Sequence, residues 1–222
     1  MWQIRRSSRL IDPDRALPGR GNYDYPLERT HAVLGTSMLE PLRSGISRLY
    51  LAMGCFWGAE KRLWQLPGVH TTAVGYQGGS TPYPTYQEVC TGLTGHAEVV
   101  MVAYHPEDVG TLDVLRVFWE NHDPTQGMRQ GNDVGTQYRS AVYWTTPEQQ
   151  RLVERTAAVY DEVLRAEGLG QVTTELAPAI DDGEPLRPFY YAEPYHQQYL
   201  HKHPHGYDCH AHTGILLPDL DE

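Results

Sequence analysis

A cysteine stands between a glycine and two large aromatic residues in "GCFWG", Gly54–Gly58, and this is where the chain is best equipped for chemistry. The strand-like run "SRLYLAMG" leads into it and the helix-like run "FWGAEKRLWQLPG" follows, so Cys55 falls at a strand-to-helix turn. At a helix start, unpaired N–H groups and the positive end of the dipole stabilise a thiolate. Such sites lower a cysteine pKa from about 8.5 to roughly 3.5–7.5, which makes Cys55 a candidate nucleophile. Gly54 and Gly58 leave room for backbone to approach a substrate, and Phe56 and Trp57 supply apolar walls. The blander alternative is a structural cysteine packed beside two core aromatics. A second candidate is Glu98 in "HAEVVMV", where alternation sets a carboxyl in an otherwise apolar strand. Desolvation there would keep it protonated at neutral pH, whereas on an edge strand it would simply face water.

These residues need a scaffold. "VHTTAVGY", "HAEVVMVAYHP", "RSAVYW" and "VTTELAP" read as further strands, and "QGGSTPYPTYQEVCTGLTG" reads as a loop. "TLDVLRVFWENHD" has helical spacing, with Thr111 as N-cap and Leu112, Leu115, Phe118 and Trp119 as an inward stripe. "TPEQQRLVERTAAVYDEVLRAEG" opens with Thr146 as N-cap, Pro147 at the first helical position and Gln149 placed for a capping box. Strands and helices alternate irregularly, which suits an α+β two-layer sandwich better than a doubly wound sheet. Residues 1–45 lack hydrophobic periodicity and read as an extended arm over a catalytic domain at 46–200; residues 201–222 form a flexible Gly- and Pro-containing tail.

Composition narrows the function. A length of 222 residues fits one core with extensions, and a formal charge of −10 argues against a general nucleic-acid surface. Asp12, Pro13, Asp14 and Pro18 interrupt what should be the apolar core of a leader, and no run is long enough to span a membrane, so a cytoplasmic protein is expected. Three widely spaced cysteines, Cys55, Cys90 and Cys209, are too few for a disulfide framework. In a reducing compartment a disulfide among them would be transient and catalytic. His201, His203, His205, Cys209, His210 and His212 cluster in the tail, but without the paired short spacing of structural zinc sites, so no metal is expected.

The pentapeptide "GCFWG" resembles the signature of the A-type peptide-methionine sulfoxide reductases. The resemblance continues through "GYQGGSTPYPTYQEVCTGLTGHAEVV", "FWENHDPTQGMRQGNDVGTQYRSAVY" and "FYYAEPYHQQYLHKHP", covering roughly residues 45 to 210. It implies reduction of methionine S-sulfoxide, free or in proteins, by a monomeric repair enzyme of oxidative stress. No cofactor is implied beyond a thioredoxin partner, or dithiothreitol, as reductant. The fold is then expected to be a ferredoxin-like core, a mixed sheet with helices on one side, with extended terminal coil.

The resemblance makes Cys55 the nucleophile and Glu98 the proton donor. It makes Tyr86 and Tyr138 donors to the sulfoxide oxygen, Phe56 and Trp57 the methyl pocket, Asp133 a substrate-orienting acid and Tyr199 another pocket residue. Cys209 resembles the resolving cysteine, although Asp208 separates it from Tyr207 and no later cysteine exists to relay a disulfide outward. Cys90 reads as a packed residue. Two other classes remain open from the residues alone: a cysteine hydrolase using Cys55 with a histidine such as His96 as base, and a non-catalytic metal- or peptide-binding module built on the His-rich tail and the tyrosines.

Overall fold

Seven residues, Ser47–Met53 (β1), apolar and buried from Leu49 onward, form the centre around which the molecule is organised. The computed structural model describes residues 9–39, 44–181, 184–209 and 211–220. β1 pairs antiparallel with β3 (Ala97–Tyr104) on one side and with β6 (Ser140–Trp144) on the other. β2 (Val69–Gln77) flanks β3, and the two-residue β10 (Tyr190–Tyr191) closes that edge, both antiparallel. β7 (Glu175–Pro178) adds to β6 in parallel, giving a six-stranded mixed sheet in the order β10-β2-β3-β1-β6-β7.

Side chains alternate across this sheet. Leu49, Leu51, Met53, Val74, Val100, Val102 and Val142 join a core with α1 (Phe56–Trp64), α3 (Thr111–Glu120) and α4 (Pro147–Ala166), through Phe56, Leu63, Leu115, Phe118, Val153 and Tyr160. The intervening positions Tyr50, Ala52, Ala73, Val99, Met101 and Tyr143 face a second, smaller core closed by Met38, Phe189 and Tyr191. Helices therefore cover one face, and coil covers the other. β3 is buried from end to end, so Glu98, in phase with Val100 and Val102, points toward α1 from inside the sheet and not from an edge.

The start of α4 has Thr146 accepting from the Gln149 N–H and Pro147 in the first turn. The Gln149 side chain does not close the box. It accepts from Thr145 N–H at 2.7 Å and donates to Arg48 O at 2.7 Å, joining the helix to β1. Thr111 is not an N-cap: that position is Gly110, and Thr111 is the first helical residue, its hydroxyl 2.7 Å from the Tyr104 hydroxyl. The loop before β3 contains a short helix, α2 (Tyr86–Cys90), with a complete capping box between Thr85 and Glu88. Two short hairpins, β4 (Arg129–Gln130) with β5 (Asp133–Val134) and β8 (Ile180–Asp181) with β9 (Glu184–Pro185), and a last turn, α5 (Tyr199–Lys202), complete the strands and α-helices among the described residues.

The N-terminal segment lies against the body. Arg20 donates to both carboxylate oxygens of Glu88, at 2.9 and 2.7 Å, and to Tyr83 O. Further along, Tyr23 and Tyr25 meet the backbone of Tyr191, and Met38 is buried in the second core.

Candidate active site

Cys55 occupies the N-cap of α1 and is buried. Gly54 before it has φ 87°, and a Cβ there would stand 2.6 Å from the Gln130 side chain, so the turn into the helix requires glycine. The first N–H of α1, that of Phe56, donates not to sulfur but to Glu98 Oε2, at 3.1 Å. Burial pushes the Cys55 thiol well up, and the nearby Glu98 carboxylate adds to the shift, opposed by the Trp57 N–H. The expected low-pKa thiolate is thus corrected: in the substrate-free site Cys55 is a thiol, because the pocket that shelters it removes more hydration than one helix start replaces.

Burial also lifts the Glu98 carboxyl, to about 8, against the Phe56 N–H and with help from the charge of Asp133. It is therefore mainly a neutral acid near pH 7, and Phe56 N–H is its one hydrogen-bond partner among the described residues. Tyr86 and Tyr138 stand close enough to Glu98 that its charge, after burial, is the next cause holding both phenols protonated. Three proton-bearing oxygens thus gather beside one sulfur.

The apolar wall comes from α1 and α5. The Trp57 ring stacks on Tyr199 with centroids 3.8 Å apart and planes 17° from parallel, and its Nε1 donates to His196 Nδ1 at 3.1 Å. Phe56 is buried between Tyr76 and His196. His196, kept neutral by burial with a pKa near 4, can accept at Nδ1. Glu193 fixes the opposite side by accepting from Tyr86 N–H at 2.8 Å and Tyr76 Oη–H at 2.7 Å. The tail closes over this group: Tyr207 donates to Asp133 Oδ2 at 3.1 Å, and the Cys209 thiol contacts Gln130 O at 3.9 Å. Cys209 is near enough to bear on the Cys55 thiol, and none of the three cysteines is disulfide-bonded.

All nine sequence-selected residues belong to this one region. Cys90 is nearer to it than a merely packed residue, because it hydrogen-bonds the Tyr86 side chain. His96 is not available to Cys55. Its Nδ1 accepts from Gly79 N–H at 3.1 Å and its Nε2 meets Thr81 O at 2.7 Å, which removes His96 as the base of a hydrolase. Among the described residues no three His, Cys, Asp or Glu side chains are placed to hold a metal, and His210 of the tail lies outside them. No helix among them is long and apolar enough to cross a membrane.

Sequence reasoning missed Glu193, His196, Asp208 and Glu60. Glu60 lies on the inward face of α1, one turn before Leu63 and Trp64, and that periodicity was the available signal. It accepts from Gln198 N–H and Nε2 and from the Thr72 hydroxyl, at 2.8, 2.7 and 3.0 Å.

Comparison with known proteins agrees with this chemistry. A family model described as "Peptide methionine sulfoxide reductase" matches residues 47–219. Proteins named "Peptide methionine sulfoxide reductase MsrA" from Rhodospirillum centenum and Methylococcus capsulatus are 57% and 56% identical. Those alignments span 91% and 98% of this chain and 89% and 95% of the relatives. Methionine sulfoxide reductase A of Corynebacterium diphtheriae superposes with a TM-score of 0.83 at 45% identity, over 95% of this chain and all of that one. Reduced Mxr1 from Saccharomyces cerevisiae gives a TM-score of 0.66 at 32% identity, over 81% of this chain and 95% of its own.

Proposed function

The chain belongs to the peptide methionine sulfoxide reductase family, and from that premise we propose how its residues reduce a methyl sulfoxide. The observation that carries the reading is the buried Glu98 carboxyl, which accepts a hydrogen bond at 3.1 Å from the residue that follows Cys55. A sulfoxide has an electrophilic sulfur and a strongly accepting oxygen. Tyr86 and Tyr138 donate hydrogen bonds to that oxygen, Glu98 protonates it, and the methyl group packs against Trp57 and Phe56. Tyr199 backs the Trp57 ring, and Asp133 orients the rest of the substrate. Once Glu98 has given up its proton it is the base that takes the thiol proton, so the raised pKa of Cys55 is overcome only when substrate is bound. Sulfur attacks sulfur, oxygen and one proton pass to Cys55, and the products are methionine and a Cys55 sulfenic acid. Cys209 then condenses with it, forming the S–S bond and releasing water.

In the wider reading, a thioredoxin-like dithiol, or dithiothreitol, reduces Cys55–Cys209 directly, and no prosthetic group takes part. The protein works as a cytoplasmic monomer in repair of oxidised proteins and in oxidative stress. A rigid methyl pocket opposite fixed oxygen donors restricts it to the S epimer. The core is of the ferredoxin-like kind: β1-α1-β2 and β3-α3-β6 are two split units whose strands interleave in the order β2-β3-β1-β6. An arm at residues 1–45 and a tail at 201–222 flank the catalytic domain at 46–200.

Quench-flow counting of methionine tests the assignment. Wild type without reductant should release about one equivalent and stop, Cys209→Ser should do the same but fail to cycle with thioredoxin, and Cys55→Ser should release none. Release by Cys55→Ser would remove the nucleophile from this reading.

A further inference from the structure

Disulfide formation needs Cys209 at Cys55, yet Cys209 follows α5 on a tail without regular secondary structure, and its thiol makes a long S–H contact to Gln130 O at 3.9 Å. The tail is held on both sides of Cys209, by Tyr207 on Asp133 at 3.1 Å before it and by the Tyr160 hydroxyl, 2.8 Å from Thr213 Oγ1 and from Ile215 O, after it; the anchor next to the thiol is the preceding residue. Asp208 Oδ1 lies 3.1 Å from Arg62 Nη1, and Oδ2 lies 3.2 Å from Lys61 Nζ. The carboxylate is largely buried, with 15% of its side chain exposed, and burial alone would raise its pKa; Arg62 and then Lys61 reverse this and hold it below the ordinary value. It rests on Gly58, where a Cβ would stand 2.6 Å from Oδ1, and Arg62 Nη1 also donates to Gly58 O at 3.1 Å. Residues 58, 61 and 62 share one face of α1, the helix that begins at Cys55.

We propose that Asp208 is a positioning residue for the second chemical step, a carboxylate latch that docks the tail on α1 and holds the Cys209 thiol within reach of Cys55. The proposal rests on the reading of Cys209 as the resolving cysteine. A tethered thiol reacts at an effective concentration set by how narrowly its tether is confined. With the latch intact the tail has a docked position beside the nucleophile; with the latch open it samples a larger volume, and the sulfenic acid waits longer. The latch has no part in the first step, which Glu98 and the tyrosines carry. Both cations are partly exposed, with 37% of the Lys61 and 23% of the Arg62 side chain accessible, so added salt should weaken the latch.

The test uses the full-length reduced protein, mixed with excess N-acetylmethionine sulfoxide and quenched at intervals. Methionine and the Cys55–Cys209 disulfide are counted separately. In Asp208→Asn the first methionine should appear at the wild-type rate and the disulfide roughly tenfold more slowly. Raising salt from about 0.05 to 0.5 M should slow the wild-type disulfide step toward the variant's rate and leave the variant unmoved. The exchanged pair Arg62→Asp with Asp208→Arg should recover most of the loss. A wild-type disulfide rate in Asp208→Asn, or equal slowing of both steps, would overturn the latch while leaving Cys209 as the resolving thiol. Normal cycling of Cys209→Ser through a Cys55–Cys90 disulfide would overturn that reading and the latch together.

Discussion

Two carboxyl groups, Glu98 on β3 and Glu60 on α1, are both out of contact with solvent, and burial lifts both, to about 8 and about 7. Their surroundings differ in how many donors they supply. Glu60 receives three hydrogen bonds, which tie α1 to β2 and to Gln198, a residue held at φ 47° immediately before Tyr199. The network continues outward: the Thr72 hydroxyl donates to Glu60 and so accepts from His31 Nε2–H, while His31 Nδ1 accepts from the N–H groups of Val33 and Leu34. Glu98 receives one donor, from the helix that presents the nucleophile. A buried acid whose oxygens are all engaged joins elements, whereas one with oxygen to spare beside a thiol can exchange a proton with a visitor.

The contrast breaks most visibly through Glu98→Gln. The amide can hydrogen-bond a sulfoxide oxygen but cannot readily protonate it, so the single-turnover rate should fall roughly 10²–10⁴-fold while substrate binding changes less. An unaltered rate near neutral pH would move the proton source to a tyrosine or water. Glu60→Ala should act on the fold. It strands the Gln198 N–H and amide and the Thr72 hydroxyl, at a cost of about 3 kcal/mol in urea unfolding, with the single-turnover rate within severalfold of wild type. A hundredfold loss of rate at unchanged stability would erase the distinction between the two acids.

Titration sharpens the comparison. A carboxyl whose folded pKa lies above its unfolded value binds more protons in the folded state between the two, so its contribution to stability is full below about 4.5 and is lost as pH rises to about 8. Replacing Glu98 by Gln removes that loss. Unfolding curves should therefore show the variant gaining on wild type between pH 5 and 8, by on the order of 4 kcal/mol. A constant difference across that range would mean that Glu98 is not held neutral. The smallest effect belongs to Cys90→Ser: a serine hydroxyl can keep the hydrogen bond to Tyr86, so thioredoxin-driven cycling should stay within about twofold, since nothing in the reaction uses the Cys90 sulfur. Arrest after one methionine would give Cys90 the role assigned to Cys209.

What could be read in the sequence follows from the range of each interaction. The turn at Cys55 and the cap at Thr146 are local, and a few neighbouring letters encode them. Glu98 was legible because alternation along one strand gives its face. The raised thiol pKa at Cys55 was not, because its first cause is burial and its second is Glu98, and both come from parts of the chain distant in sequence. Glu193 reaches Tyr86 across 107 positions, and Asp208 reaches Arg62 across 146. No periodicity relates such pairs. The α2 helix was overlooked for a different reason: five residues are too few to show a helical stripe, although Thr85 and Glu88 carry its capping box in plain letters.

The contacts that Tyr23 and Tyr25 make with Tyr191 have a consequence for how the protein behaves in company. β10 is the last strand of the sheet on its side, and its outward N–H and C=O at Tyr191 could serve as a template for a foreign strand. The Tyr23 hydroxyl accepts that N–H at 3.0 Å and the Tyr25 hydroxyl donates to that carbonyl at 2.8 Å. At the far side β7 ends in Pro178, which has no N–H and whose carbonyl accepts from Arg187. A loose strand arriving at either border therefore finds the outward groups of Tyr191 already engaged and, at Pro178, no N–H to pair with, so the sheet is blunted against edge-to-edge growth at these two positions.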